Sequence, residues 1–92
     1  MTDFLSKQLV PSEQAMESRV GEATVILHLE SGTYYGLDEL GTRIWELIKG
    51  GVAPVAIGDI LVREYDASRE VIEAHMRRFL SDLYAHGIVV DG

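Results

Sequence analysis

The 92-residue chain contains no cysteine, only two prolines, and eight basic residues against fifteen acidic ones. Without cysteine there can be no disulfides, thiolate nucleophiles or cysteine-bound metals, and a reducing, cytoplasmic location fits. No apolar run approaches the roughly 20 residues that span a bilayer. The net charge of −7 repels phosphate backbones and anionic lipid over a screening length of about 8 Å. Neither nucleic acid nor a membrane is therefore the expected partner.

Hydrophobic residues make up 47% of the chain. That is enough for one packed core, but a chain of this length cannot bury a second one. The mixture of polar and isolated apolar residues at 1–14 predicts an N-terminal arm that is ordered only in part. Residues 15–92 are expected to form a single domain.

The first half of this domain has the alternation and the β-branched content of strands, in three segments at 16–20, 24–29 and 33–37. Ser31 and Gly32 favour a hairpin turn between the last two segments. Three consecutive strands joined in this way predict an antiparallel meander. Such a small sheet needs helices against its apolar face to be stable in water.

The faces of the strands can be assigned from their alternation. Val25, Leu27 and Leu29 share one face of the second strand, which we expect to lie on the helices. His28 points to the opposite side and is expected at the surface or half-buried. In the third strand we expect Tyr35, with Leu37, to enter the core and Tyr34 to lie on the open face.

After residue 37 the hydrophobic period becomes that of a helix. Capping and breaking residues divide this half into three helices: Asp38 before the first, Gly50 and Gly51 after it, Pro54 in the first turn of the second, and Ser68 and Gly87 around the third. Trp45 is expected to pack beneath the sheet. The sequence thus predicts an α+β, winged-helix-like fold, a three-stranded antiparallel meander followed by three helices.

Residues suited to catalysis or metal binding are few. The histidines, His28, His75 and His86, form no zinc-type pair, and no phosphate-binding loop is present. Two acidic pairs, Asp38 with Glu39 and Glu70 with Glu73, each open a predicted helix, where carboxylates are favoured by the helix dipole. We therefore expect no enzyme, no metal and no cofactor.

The third strand is the informative feature, because it lies at an edge of the predicted meander. Thr33, Tyr34, Tyr35 and Gly36 bring neither charge nor proline to this edge. Proteins usually protect an exposed edge with such residues, and an unprotected edge can accept a strand from another chain. The alternative is that the N-terminal arm or the 88–90 tail covers it, and composition and pattern leave both possibilities open.

The last helix is expected to form a wall beside this edge. If its apolar stripe faces the core, Glu73, Ala74, Arg77 and Arg78 lie towards its flank. The two arginines could then meet an acidic segment of a ligand. The alternative is that this face of the helix is simply solvated, with Arg77 paired to Glu73. A solvated, non-binding role is expected more for Arg78 than for Arg77.

A combined pattern spans residues 24–48. It consists of an apolar strand, a Glu-Ser-Gly turn, an aromatic strand, a Leu-Asp pair and a helix with Gly41, Ile44 and Trp45. This pattern resembles the PqqD family, and the resemblance extends over about residues 16–90. It implies a winged-helix-like module that binds the leader segment of a ribosomally made precursor peptide as an extra strand, between the third strand and the last helix. It therefore favours the open edge.

Within that family the chain is most similar to the stand-alone recognition proteins of lasso-peptide pathways. The similarity implies that the chain presents the precursor peptide to a maturation enzyme, in these pathways a leader peptidase. No catalytic residue is implied. Three alternatives remain: a chaperone for a radical-SAM peptide-modifying enzyme, a winged-helix DNA-binding protein, and a subunit that self-associates through the same edge.

Overall fold

Five strands, three helices and one short 3-10 turn make up residues 4–92, the part of the chain that this computed structural model describes. In chain order they are the 3-10 turn Phe4–Ser6, β1 (Leu9–Pro11), β2 (Ala15–Val20), β3 (Ala23–His28), β4 (Thr33–Leu37), α1 (Glu39–Lys49), α2 (Pro54–Glu64), α3 (Arg69–Ala85) and β5 (Val89–Asp91). The α+β order predicted from the sequence is confirmed. Within the described residues, no helix combines the length and apolarity that a membrane span requires.

Strands β2, β3 and β4 form the antiparallel meander, in that spatial order. The turns between them use Gly21 and Gly32, whose φ angles of 64° and 70° are readily adopted only by glycine. The central row of the sheet pairs Met16 with Leu27 and Leu27 with Tyr34. In this arrangement β4 is an edge strand.

The predicted orientation of β3 is wrong. Ile26 is fully buried and Thr24 is 1% exposed, so these residues, and not Val25 and Leu27, face the helices. Leu29 lies beyond the strand and is 48% exposed. Both faces of this strand contain apolar residues, so alternation alone could not distinguish them. His28 is half-buried, as predicted.

On the inner face of the sheet, polar side chains of β2 form hydrogen bonds with α1 and with β3. Trp45 is 2% exposed beneath the sheet, and its Nε1 donates a 2.6 Å hydrogen bond to Oε1 of Glu17. Lys49 donates to the same carboxylate oxygen. On the same face, Arg19 donates to Oγ1 of Thr24 at 2.7 Å, which satisfies the hydroxyl of a buried threonine. The predicted packing of Trp45 beneath the sheet is confirmed.

The two ends of the described chain pair with each other. Strand β1 is antiparallel to β5, with Leu9 opposite Asp91 and Pro11 opposite Val89. Leu9 and Val89 are fully buried. Lys7 Nζ adds a 2.6 Å ion pair to Asp91. Most of the arm predicted at 1–14 is thus packed on the core, while residues 1–3 lie outside the described part.

The helices begin where the capping residues predict. Asp38 caps α1 by accepting a 2.6 Å hydrogen bond from the backbone N–H of Gly41, and Ser68 caps α3 by accepting from Val71 N at 3.3 Å. Pro54 begins α2. The buried face of α3 comprises Ile72, Met76, Leu80 and Leu83, and the helix packs against α2, the 3-10 turn and β5.

We predict that replacing Leu9 by alanine lowers the free energy of unfolding by roughly 2–5 kcal/mol, the usual cost of a cavity at a fully buried leucine. The neighbouring Val10, which is half-buried, provides the matched control, and Val10→Ala should cost less. Urea denaturation measures both. A loss below about 1 kcal/mol for Leu9→Ala would show that the arm is not part of the core.

We also predict a pH-dependent contribution from Glu17. The hydrogen bond from Lys49 is the main cause that holds the pKa of this carboxyl below its usual value of 4.5, with the bond from Trp45 acting in the same direction and burial acting against both. Because the folded-state pKa is the lower one, the stabilisation is complete above about pH 4.5 and is lost as the pH falls through the folded value.

The test is to compare Glu17→Gln with the unaltered chain, because an amide keeps an acceptor for Trp45 but loses the charge that pairs with Lys49. At neutral pH the variant should be less stable than the unaltered chain by roughly 1 kcal/mol, a modest value because the ion pair is partly exposed to solvent. This difference in stability should become smaller in acid. Unfolding curves that differ by the same amount from about pH 3 to pH 7 would contradict this account.

Candidate functional site

The edge of β4 is not covered by either end of the described chain. The N-terminal arm and the C-terminal tail, the two segments able to cover it, form their own two-stranded sheet from β1 and β5. Within residues 4–92, β4 pairs with β3 alone. We call the side of β4 that faces away from β3 the free edge.

The hydrogen-bond pattern identifies the backbone groups at the free edge. In an antiparallel pair, residues that bond to one neighbouring strand alternate with residues whose N–H and C=O point the other way. Leu29 N donates to Gln14 O at 2.8 Å. Leu29 therefore bonds towards β2, and by alternation Ile26 bonds towards β4, where its partner is Tyr35. The N–H and C=O of Tyr34 and Gly36 therefore point to the free edge.

The side chains of β4 leave this edge accessible. Tyr34 is 68% exposed on the outer face of the sheet, and Thr33 and Gly36 are exposed as well. Tyr35 is half-buried on the inner face, where its ring lies 4.9 Å from the ring of His86. Leu37 is 8% exposed. The predictions that Tyr34 lies on the open face and that Tyr35 and Leu37 turn inwards are confirmed.

A groove separates the free edge from α3. At one end it opens into a cavity of about 250 Å³, lined by Gly36, Leu37, Asp38, His75, Arg78, Phe79 and Asp82. Leu37 and Phe79 give the cavity apolar surface, while the guanidinium of Arg78 and the carboxylates of Asp38 and Asp82 provide charge of both signs. The groove is therefore suited to an apolar side chain flanked by polar groups.

The helical wall of the groove is a single stripe of α3. His75, Phe79 and Asp82 are separated by four and three residues, so they lie on one face of the helix. The His75 and Phe79 rings stack with centroids 6.4 Å apart and planes 21° apart. None of these three residues was singled out from the sequence as a ligand contact. The sequence does contain the stripe, but it does not indicate which flank of the helix faces β4.

The structure divides the predicted wall residues between two sides of α3. Arg78 lines the cavity. Glu73 and Arg77 lie on the other flank, where Glu73 is 3.5 Å from Arg69 and 3.9 Å from Arg77. Ala74 is exposed and does not line the cavity. Of the four predicted wall residues, the structure brings only Arg78 together with the free edge.

A larger cavity, of about 610 Å³, lies between the β2–β3 turn and the first turns of α1. Of β4, only Leu37 reaches it. Arg43 at its rim is held by Glu64 through two hydrogen bonds of 2.9 and 2.7 Å. Burial is the main cause that raises the pKa of the Tyr65 hydroxyl in its lining, with a further contribution from Glu39. The strand edge beside this cavity is that of β2, which carries the charged Arg19, so the groove beside the uncharged edge of β4 is the better candidate site.

Across residues 4–92, no three histidine, cysteine or acidic side chains lie close enough together to hold an ion. In the β3–β4 turn, Nδ1 of His28 lies 3.1 Å from the hydroxyl oxygen of Ser31, and Nδ1 of His86 lies 2.8 Å from the carbonyl of Asp82. These two histidines therefore have local partners in the turn and at the end of α3.

The chain is similar to known proteins in sequence and in fold. The family model for PqqD, the coenzyme PQQ synthesis protein D, matches residues 23–89. The solved structure of TbiB1 in complex with the TbiA(beta) leader peptide is 35% identical to this chain and superposes with a TM-score of 0.81, covering 87% of this chain and 93% of TbiB1.

A second solved structure, lasso peptide synthetase B1 complexed with the leader peptide, superposes with a TM-score of 0.83 and covers 90% of this chain and 98% of its own. At 19% identity it shows the shared fold alone. No curated protein matches. The family match and the TbiB1 likeness together show that this chain belongs to the PqqD family.

Proposed function

We propose that this chain binds the leader segment of a ribosomally synthesised precursor peptide as an added strand on β4. The observation that carries the proposal is the free edge of β4, uncharged and without proline, beside a groove walled by α3. The likeness to TbiB1, whose structure contains the TbiA(beta) leader peptide, supports a leader peptide as the ligand class.

The backbone alone would bind such a peptide weakly. Tyr34 and Gly36 offer two N–H and two C=O groups, and four hydrogen bonds at about 1 kcal/mol net each correspond to roughly millimolar affinity. Each buried apolar anchor adds about 2 kcal/mol before ordering losses. The cavity beside Leu37 and Phe79 can hold such an anchor, so micromolar or tighter binding depends on it.

The pairing with β4 also determines which side chains of the ligand face α3 and which face the outer side of the sheet. Residues opposite Tyr34 and Gly36 lie on the outer face of the sheet, and the residues between them point towards α3. A ligand residue that faces Leu37 therefore enters the cavity, with Arg78 and Asp82 at its rim. We infer that the ligand places an apolar residue here, next to polar or charged neighbours.

The role is that of an adaptor without chemistry of its own. We infer that the chain presents the bound peptide to a separate maturation enzyme, in a lasso-peptide pathway the leader peptidase. The resemblance of the sequence to the stand-alone recognition proteins of lasso-peptide pathways favours this pathway over a radical-SAM partner. A DNA-binding role has less support, because Arg69 and Arg77 on α3 are both near Glu73 and Arg69 also pairs with Asp59 at 2.8 Å.

We predict that Gly36→Pro weakens leader-peptide binding at least about tenfold, because proline removes an N–H at the free edge and places its ring where the added strand would lie. The measurement is a fluorescence-anisotropy titration with the TbiA(beta) leader peptide and with the leader peptide of any precursor encoded near this chain.

Gly36→Ala is the matched control. A Cβ built at this position has no heavy atom within 4 Å, so alanine fits without strain and should change the affinity by less than about threefold. Thermal unfolding confirms that both variants are folded. Equal affinity for the proline and alanine variants would rule out pairing at this edge.

We further predict that Arg78→Ala weakens binding by about three- to tenfold while the adjacent Arg77→Ala leaves it unchanged. The two substitutions remove the same charge from neighbouring positions, but only Arg78 lines the groove. The effect of Arg78→Ala should fade at high salt. The same titration would contradict the placement of the ligand if Arg77→Ala proved the more damaging change.

A further inference from the structure

Gly41 lies behind the groove, in the first turn of α1. It is buried and does not line the cavity itself. Its two nearest side-chain neighbours, Asp38 and Phe79, do line the cavity, one from the end of β4 and the other from α3. Gly41 therefore lies directly behind Asp38 and Phe79, two residues of the groove wall.

A side chain fits at this point only if a neighbouring side chain gives way by a few tenths of an ångström. A Cβ built on Gly41 would lie 3.0 Å from Oδ1 of Asp38, 3.0 Å from Cε1 of Phe79 and 3.3 Å from Cζ of the same ring. Carbon atoms in optimal contact are about 3.5–4.0 Å apart. The ring of Phe79 thus occupies space that any other residue at position 41 would fill.

A Phe79 ring that gives way to an added methyl group has one open direction. The His75 ring stacks beside it at 6.4 Å, and the cavity beside Gly36 and Leu37 is the adjoining open space. A Phe79 ring displaced from Gly41 therefore moves into the cavity and narrows it. Asp38 is also constrained, because its Oδ1 accepts the hydrogen bond from Gly41 N that caps α1.

We infer that Gly41 is a positioning residue of the groove: its missing side chain lets Phe79 rest on the first turn of α1 and keeps the cavity open for the ligand's apolar residue. This inference rests on the proposed function for its consequence in binding. Its structural part, the placement of Phe79 by Gly41, concerns the protein alone.

The experiment compares Gly41→Ala with Gly58→Ala. Both are buried helical glycines whose replacement raises helix propensity, but a Cβ at Gly58 would meet only ordinary contacts, at 3.8 Å from Met76 Sδ and 3.9 Å from Arg69 Nη1. Nuclear Overhauser effects from the Phe79 ring protons in the peptide-free protein report the position of the ring. In Gly41→Ala they should shift away from α1 and towards Gly36; in Gly58→Ala they should not change.

Binding of the same leader peptides is then measured for both variants. Gly41→Ala should weaken binding by roughly tenfold and Gly58→Ala should leave it unchanged. In a Phe79→Leu background, where the ring is absent, Gly41→Ala should have little further effect, which a general loss of stability would not produce.

An unmoved ring in Gly41→Ala would overturn the inference, and so would a moved ring with unchanged affinity. Failure of the unaltered chain to bind any leader peptide would refute the proposed function instead. The ring position in the peptide-free variant would still decide whether Gly41 places Phe79.

Discussion

The pairing of the two chain ends with each other is the interaction on which the candidate site depends. Strands β1 and β5 use their own backbone groups in a separate two-stranded sheet, so neither is available to β4. The pairing is held by Leu9 and Val89, which are fully buried, and by the ion pair between Lys7 and Asp91. Unpaired edges readily accept another strand, and here the fold leaves that opportunity on β4.

The groove beside this edge follows from the way a strand passes directly into a helix. Asp38 ends the extended segment and caps α1, which turns the chain beneath the sheet within a single residue. The first turn of α1 then meets Phe79 of α3 at Gly41, and Phe79 lines the same cavity as Leu37 at the end of β4. The backbone edge and the apolar cavity are therefore adjacent because one short connection brings both together.

Local features of the site could be predicted from the sequence, and long-range ones could not. The bounds of β4, the caps Asp38 and Ser68, and the burial of Trp45 depend on neighbouring residues or on one dominant side chain, and all were predicted. The pairing of β1 with β5 joins three-residue segments almost eighty positions apart, and strands so short have no periodicity of their own.

Two faces were assigned less well, for a related reason. Both sides of β3 are apolar, so alternation cannot distinguish them; Thr24 and Ile26 turn inwards, opposite Arg19 and Glu17 of β2. An apolar stripe on α3 has two flanks, and nothing local indicates which of them faces the edge strand. The stripe containing His75 and Phe79 faces β4, whereas Glu73 and Arg77 lie on the other side.

Amide hydrogen exchange at the two edges of the meander tests the central claim most directly. With saturating leader peptide, exchange at the amides of Tyr34 and Gly36 should slow by at least about tenfold, because an added strand accepts their hydrogen bonds. The amides of Glu17 and Arg19, which point outwards at the opposite edge, should be unchanged and provide the internal control. Bound peptide with undiminished exchange at Tyr34 and Gly36 would contradict the account.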